Sequence, residues 1–411
     1  MFSLFTCALF LPCLIKLTHC ERRIVNGTLA IGEPRYLAYF VKAPQSMKKY
    51  VGWICGGCII HPLYILTSSA CLVDVKHVYA IVGYNKYVRS EDIDKDECTK
   101  RIKKRVISNS FQKEYRQKPS DPGPHKWNYR DISVARVESP INFRDPVYTK
   151  YCSYFPASVK VNFNRVFEQP GTEAVTFGWG HRHYFRLEDD LKDHNEEYVN
   201  YASTVVIDKE LCKTMLIGHS EMKVHVHNYL LCASGNGSLD EGGKFATSSI
   251  GPLNKTKHVN LKLGKSLRSR ATLDYFKDEI KDYRKHGPCQ NDHGGPLITW
   301  IGGREYVIGV ACGFQVNGQM ECVGPYLYTS TFSNGEFIYC MLRYTRRSRL
   351  CDIAPEQKGY QIVEEEIIWP DTYIVKSRSN TTTTLKHEIK GNITKTTLKP
   401  EIVLLSENAG V

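Results

Sequence analysis

Tyr64-Ile65-Leu66-Thr67-Ser68-Ser69-Ala70-Cys71-Leu72-Val73 is a short, largely apolar run that reads as a strand. Runs of the same kind stand on either side of it: YLAYFVKA at 36–43, VYAIVGYN at 78–85 and DISVARV at 131–137, rich in Val, Ile, Tyr and Phe and punctuated by Gly, Pro and Asn. This is the rhythm of strands, not of helices. It returns at EAVTFGWG (173–180), NYASTVVI (200–207), PLITWI (296–301), EYVIGVACGF (305–314) and PYLYTSTF (325–332). Two β-rich halves of six strands each predict an all-β double barrel. Helical periodicity is found mainly near 335–344, which predicts a short C-terminal helix, and no internal repeat is present.

With 411 residues, 42% hydrophobic and 11% aromatic, the chain can build a sizeable core, which excludes a wholly disordered or collagen-like protein. A formal charge of +12, from 55 Lys and Arg against 43 Asp and Glu, is a mild excess at this length and argues little for nucleic acid. Residues 1–20 carry an apolar run too short to span a bilayer and placed as a secretory signal peptide would be. No later run reaches the roughly 18 apolar residues of a membrane span, so a secreted, extracellular product is expected. Setting aside Cys7, Cys13 and Cys20 leaves twelve cysteines, an even number that reads as a disulfide framework on an oxidising route.

Six motifs occur in one order: Arg23-Ile24-Val25-Asn26-Gly27, Cys55-Gly56-Gly57, Leu66-Thr67-Ser68-Ser69-Ala70-Cys71, Asp131-Ile132-Ser133-Val134, Gly178-Trp179-Gly180 and Cys289-Gln290-Asn291-Asp292-His293-Gly294-Gly295-Pro296. Together they resemble the trypsin/chymotrypsin-like serine proteases, whose pattern runs R-IVGG, CGGSLI, LTAAHC, a D-I-A-L strand, GWG and C-x-GDSGGP. The resemblance covers about residues 24–345. It implies two six-stranded barrels, an activation segment at 21–23 cut after Arg23, and a new ammonium on Ile24 that pairs with buried Asp292. The peptidase domain then runs from 24 to 351 with a long insertion at 235–286, whose end, LDYFKDEIKDYRKH, reads as a short solvated helix. Residues 352–411, rich in Thr, Glu and Lys, read as a disordered tail, and 181–197 as a polar, acidic loop.

The family reaction needs a serine nucleophile, a histidine base, an aspartate that orients the base, and two N–H groups for the oxyanion. Of these side chains only the aspartate is retained, at Asp131. Ala70 stands in place of the base, and because it abuts Cys71 no gap brings His61 or His77 there. His293 stands in place of the nucleophile. Losing both removes general-base and covalent catalysis, so the resemblance implies an inactive homologue. The pocket departs too: Gly287 takes the place of a specificity aspartate, Asn291 that of the oxyanion glycine, Tyr326 that of a pocket-wall glycine, and Ala311 and Cys312 those of the serine and tryptophan on the substrate strand. A rewired pair of Ser69 and His293 is the enzymatic alternative. A metal bridge between His293 and Asp131 falls short of the three or four ligands zinc takes, and neither metal nor cofactor is expected.

By the same resemblance Cys55 pairs with Cys71, Cys212 with Cys232, and Cys289 with Cys322. Cys58, Cys98, Cys152, Cys312, Cys340 and Cys351 remain open to 15 connectivities, with Cys340–Cys351 favoured by proximity. Sequons at Asn236, Asn254, Asn380 and Asn392 fall in the insertion or tail and predict glycosylation; Asn26 carries a fifth beside the cleavage point. The basic runs at 100–105 and 346–349 suit an anionic glycan, though solvated element ends explain them better. The expectation is a secreted, zymogen-like pseudoenzyme and glycoprotein that binds a secreted protein partner, a protease or cascade component, as a regulator or cofactor in proteolysis. Rewired endopeptidase activity and a glycan-binding or venom-like role are the alternatives.

Overall fold

β-branched and aromatic side chains fit a pleated surface that is buried on one face, and the apolar runs form strands throughout. A computed structural model describes residues 27–46, 50–73, 75–115, 129–181, 184–187, 190–216, 222–245, 286–342, 351, 360–370 and 405–406. After β1 (Thr28–Leu29) come β2 (Leu37–Lys42), β3 (Ile54–His61), β4 (Tyr64–Thr67), β5 (Val78–Val82), β6 (Lys104–Gln112) and β7 (Ser133–Val137). Antiparallel pairing runs β2–β3–β4–β7–β6–β5 and back to β2, closing a six-stranded barrel. The second half adds β8 (Lys160–Val161), β9 (Glu173–Gly178), β10 (Asn200–Val206), β11 (Leu230–Ser234), β12 (Pro296–Ile301), β13 (Arg304–Val316) and β14 (Cys322–Ser330). Here β9–β10–β11–β14–β13–β12 returns to β9 and closes a second barrel. β1 pairs with β10, and β8 runs parallel to β13.

The barrels meet along an aromatic seam. Tyr39 stands 5.0 Å from Trp179, and Tyr36 stands 6.1 Å from Phe177; all four rings are buried. Burying side chains of this size contributes about 1.5–3 kcal/mol each. Beside the seam Asp131, two residues before β7, meets the loop before β12.

The described helices are α1 (Thr99–Ile102), α2 (Val147–Tyr151), α3 (Lys209–Met215), α4 (Met222–Asn228) and α5 (Gly335–Leu342). α5 lies where periodicity places it, whereas α3 and α4 were not anticipated. Asp208 starts α3, its Oδ1 accepting from the amides of Glu210 and Leu211. An aspartate cap before Lys-Glu-Leu-Cys is the signal that marks this helix in the sequence.

Two expectations are corrected. Residues 360–370, assigned to a disordered tail, instead form β15 (Ile362–Glu366), which pairs with β6 from Gln112 to Ser108 and leaves Tyr360 and Trp369 buried. Averaging composition over the tail hid the apolar ends of Gln-Ile-Val-Glu-Glu-Glu-Ile-Ile-Trp. Further on, β16 (Leu405–Ser406) lies parallel to β13 at Gln315 and Val316. The beginning of the 235–286 insertion is also part of the fold: Leu239 bridges to Phe245, and Glu241 accepts from the amides of Ile31 and Gly32. The rest of that insertion, its expected helix included, lies outside the described residues apart from His286. Within the described part of the polar loop at 181–197, which forms no helix or strand, His181 and Arg186 are nevertheless buried.

Among the described residues five disulfides are formed: Cys55–Cys71, Cys98–Cys152, Cys212–Cys232, Cys289–Cys322 and Cys340–Cys351. Cys58 and Cys312 are free and buried. Among the described residues no helix is long and apolar enough to cross a membrane.

Candidate functional site

β4 ends at Thr67, and the chain turns through Ser68, Ser69 and Ala70 into Cys71, which is bonded back to Cys55 on β3. The turn aims the Ala70 amide at Asp131, whose Oδ1 accepts it at 2.9 Å. The loop before β12 comes from the other barrel, and its carbonyl at His293 accepts from the Gly56 amide at 2.7 Å. His293 Nε2 donates to Asp131 Oδ2 at 2.6 Å. Asp131 is fully buried, and the His293 side chain is 20% exposed. Thr329 Oγ1 closes the arrangement from below, donating to the Asp131 carbonyl at 2.9 Å. The imidazole that meets Asp131 is thus supplied by the loop before β12, from the other barrel.

Both serines of the turn are sealed. Ser69 is fully buried and its hydroxyl donates to the Ile132 carbonyl at 2.8 Å; Ser68, also fully buried, lies 3.3 Å from Cys71 Sγ. A nucleophile must reach its base and an incoming carbonyl, and here neither hydroxyl bonds to His293. His61 and His77 sit elsewhere, His61 accepting from the Leu63 amide and His77 donating to the Ile368 carbonyl. Among the described residues no group of three or more His, Cys, Asp or Glu is arranged to hold a metal.

Tyr326 on β14 is fully buried, and its ring lies so close to Gly287 that a Cβ there would come within 2.4 Å of Cε2. Only glycine leaves room for the phenol. Ala311 exchanges backbone bonds with the 294–295 turn, donating to the Gly295 carbonyl and accepting from the Gly294 amide, each at 2.8 Å. Cys312 faces inward with its thiol 3.4 Å from the Leu327 carbonyl, and burial, reinforced by the nearby Asp131 charge, pushes that thiol well above its ordinary pKa. Burial does the same to Cys58. Unreactive neutral thiols follow.

Asn291 adopts φ = 75°, a left-handed conformation that asparagine tolerates better than most residues. Its Nδ2 donates to Asn195 Oδ1 at 2.8 Å and to the Gly52 carbonyl at 3.1 Å, and lies 3.2 Å from His181 Nε2. Burial, followed by the charges of Arg186 and His194, lowers His181 to about 3, so it is neutral near pH 7. Arg186 donates to the carbonyls of Val51 at 3.0 Å and Lys192 at 2.6 Å, and stacks 3.7 Å from the Tyr50 ring centre. No sequence signal within 181–197 pointed to this network, because it is built from contacts far apart in the chain.

Asp292 points the other way. Its carboxylate accepts from the amides of Gly180 at 2.7 Å and Cys289 at 3.0 Å. A Cβ on Gly180 would come 2.6 Å from Asp292 Cγ, so the Gly-Trp-Gly motif makes the space for this carboxyl. Burial raises Asp292 to about 7, and among the described residues no cation pairs with it. Arg23 and Ile24 lie outside the described residues, as do Asn26, Asn254, Asn380, Asn392 and the basic run at 346–349. Asn236 is exposed.

The basic run at 100–105 is largely neutralised within the fold. Lys100 and Arg101 pair with Glu97, Lys103 with Asp94, and Arg105 with Glu138, while Lys104 donates to Ser139.

A double barrel with this inter-barrel site defines a class, and a family model for trypsin matches residues 37–243, about half of the chain. The protein belongs to the trypsin family. It is similar to bovine coagulation factor XI, with 25% identity over 240 residues; the match covers 57% of this chain and 32% of the relative. The chain therefore spans about a third of the length of the curated relative it matches.

Proposed function

We propose that this protein is a secreted trypsin-family homologue without peptidase activity, which acts by binding as a regulator or cofactor in proteolysis. The observation that carries the reading is the bond from His293 to Asp131: the loop of the nucleophile contributes an imidazole, and Ala70 contributes none. Acyl transfer needs a hydroxyl or thiol at that loop with a base beside it. Instead, an imidazole from one barrel bonds to a buried carboxylate from the other, and the former reaction centre becomes a clasp between barrels. The Tyr326 ring packed against Gly287 supports the same reading, since a substrate side chain would have to displace a buried phenol.

The burial of Ser68 and Ser69 weighs against a rewired nucleophile, and the internal pairing of 100–105 weighs against an anionic-glycan role for that run. Secretion fits the five disulfides, which persist in oxidising compartments, and glycosylation is proposed at exposed Asn236. The partner class, a protease or another component of a proteolytic cascade, rests on family membership.

The test is an active-site-directed fluorophosphonate probe on purified protein treated with a trypsin-like activator. No labelling above a mock preparation is expected. Labelling that is lost in Ser69→Ala would replace this reading with the rewired enzyme.

A further inference from the structure

β6 lies between two neighbours along Ser108 to Gln112, β7 on one edge and β15 on the other. At Lys104 and Arg105 that second edge pairs with Ala80 and Tyr79 of β5. The strands β5 and β6 then part, and the edge they leave is taken by residues 360–370. The six-stranded circuit is already complete without this segment, so it is an addition to a closed barrel. Leaving such an edge bare would offer unpaired N–H and C=O groups to any other strand.

Its seat is specific at both ends. Trp369 is 1% exposed, and its Nε1–H donates to the Val106 carbonyl at 3.0 Å, where β5 and β6 diverge. The His77 and Tyr79 rings each lie 5.2 Å from it, and the Arg105 guanidinium lies 5.1 Å from its ring centre. His77 Nε2 also donates to the Ile368 carbonyl at 3.0 Å, and the Ile367 amide to the Ile107 carbonyl at 2.8 Å. At the far end the Lys113 amide donates to the Gln361 carbonyl at 2.7 Å, and the Gln361 amide donates to Glu114 at 2.9 Å. Tyr360 is buried with the Arg130 guanidinium 5.6 Å from its ring centre. Between the anchors the Ser108 hydroxyl donates to Glu364 at 3.1 Å.

We propose that the open edge of β6 and the Trp369 socket form a strand-binding site for an extended, indole-anchored peptide, and that residues 360–370 of this chain are its resident, exchangeable ligand. Backbone pairing supplies affinity and an end socket supplies specificity, the division of labour of strand addition at a sheet edge. The attachment is non-covalent among the described residues: Cys340–Cys351 ties the chain to α5 upstream of the segment, and nothing beyond Cys351 is cross-linked. Three consecutive glutamates, Glu364 to Glu366, put charge on the new edge of the sheet and discourage a further strand. The site stands apart from the Asp131–His293 pair and does not depend on whether the protein hydrolyses peptides.

The experiment uses the full chain with a specific protease site inserted between Cys351 and Tyr360, cut after folding. The probe is a fluorescent synthetic peptide of residues 360–370. The released C-terminal fragment is expected to co-elute with the barrels and to be displaced by the peptide in a concentration-dependent way. A peptide carrying Trp369→Ala should bind at least about tenfold more weakly, as loss of a buried aromatic anchor does, and the uncut chain should bind the probe far less than the cut one. The proposal is overturned if the fragment departs and the peptide does not bind, if the fragment stays and never exchanges, or if the Trp369→Ala peptide binds as well as the parent. Loss of the circular-dichroism signal on cutting would also overturn it, since the segment would then belong to the folding core.

Discussion

Asp131 and Asp292 are two buried carboxylates of one site, and they are served in opposite ways. Asp131 accepts from the Ala70 amide and from the His293 imidazole, so its burial is matched by a group able to carry positive charge. Asp292 accepts only from amides in the described structure, and burial raises it to about 7. A buried carboxylate without a cation protonates more readily, because the charged form has lost its water. The comparison teaches that burial costs a carboxylate little where an imidazole from the other barrel meets it, as at Asp131, and favours its protonated form where only amides do, as at Asp292.

The largest expected effect tests the Asp292 side. Its folded pKa of about 7 lies above the unfolded value of about 4, so folding takes up a proton in that window. Its contribution to stability is then greatest below pH 4, falls as pH rises through 4 to 7, and is flat above 7, a cost of about 4 kcal/mol at pH 8. Urea midpoints of the uncut protein across pH 4 to 8 measure the slope, and Asp292→Asn should remove that share of it. Cutting after Arg23 should flatten the slope as well if the Ile24 ammonium reaches Asp292. An unchanged slope in both cases would make Asp292 an ordinary hydrogen-bonded acid.

Next in size is the Asp131 side. His293→Ala leaves a buried carboxylate with its amide donor alone and should cost about 3 kcal/mol. Adding Asp131→Asn to that variant should recover more than half of the loss, because the stranded charge is gone. A double-mutant cycle in urea gives the coupling; a coupling below about 0.5 kcal/mol would mean that the two side chains are only neighbours.

The smallest effect concerns the turn that presents Ala70. Ser69→Ala deletes the buried bond to the Ile132 carbonyl and should cost about 1 kcal/mol. Thermal stability should drop slightly, with no accompanying change in any hydrolytic activity. Loss of activity without loss of stability would contradict the structural role of Ser69.

The strands at 37–42, 64–67, 78–82 and 133–137 were legible because short runs of β-branched and aromatic residues are written locally, and the Gly-Trp-Gly and Cys-Gln-Asn-Asp-His-Gly-Gly-Pro motifs placed Asp292 and His293 in the chain. The same motifs identified Ala70 and His293 as departures. They did not say what His293 does, since its bond to Asp131 joins residues 162 positions apart. Nor did they reveal the His181, Asn195 and Asn291 network, whose members have no common motif.

By itself, the sequence determined the family and the two barrels, because those are matters of residue type and local order. Only the tertiary structure decided that His293 reaches Asp131, that Ser68 and Ser69 face inward, that Tyr326 packs on Gly287, and that a Glu-rich stretch with Tyr360 and Trp369 at its ends belongs to the first barrel. Each depends on which distant backbone supplies an open edge or a socket. Where β5 and β6 diverge, the barrel offers both to Trp369, and burial of one indole outweighs what the composition of its surroundings predicts.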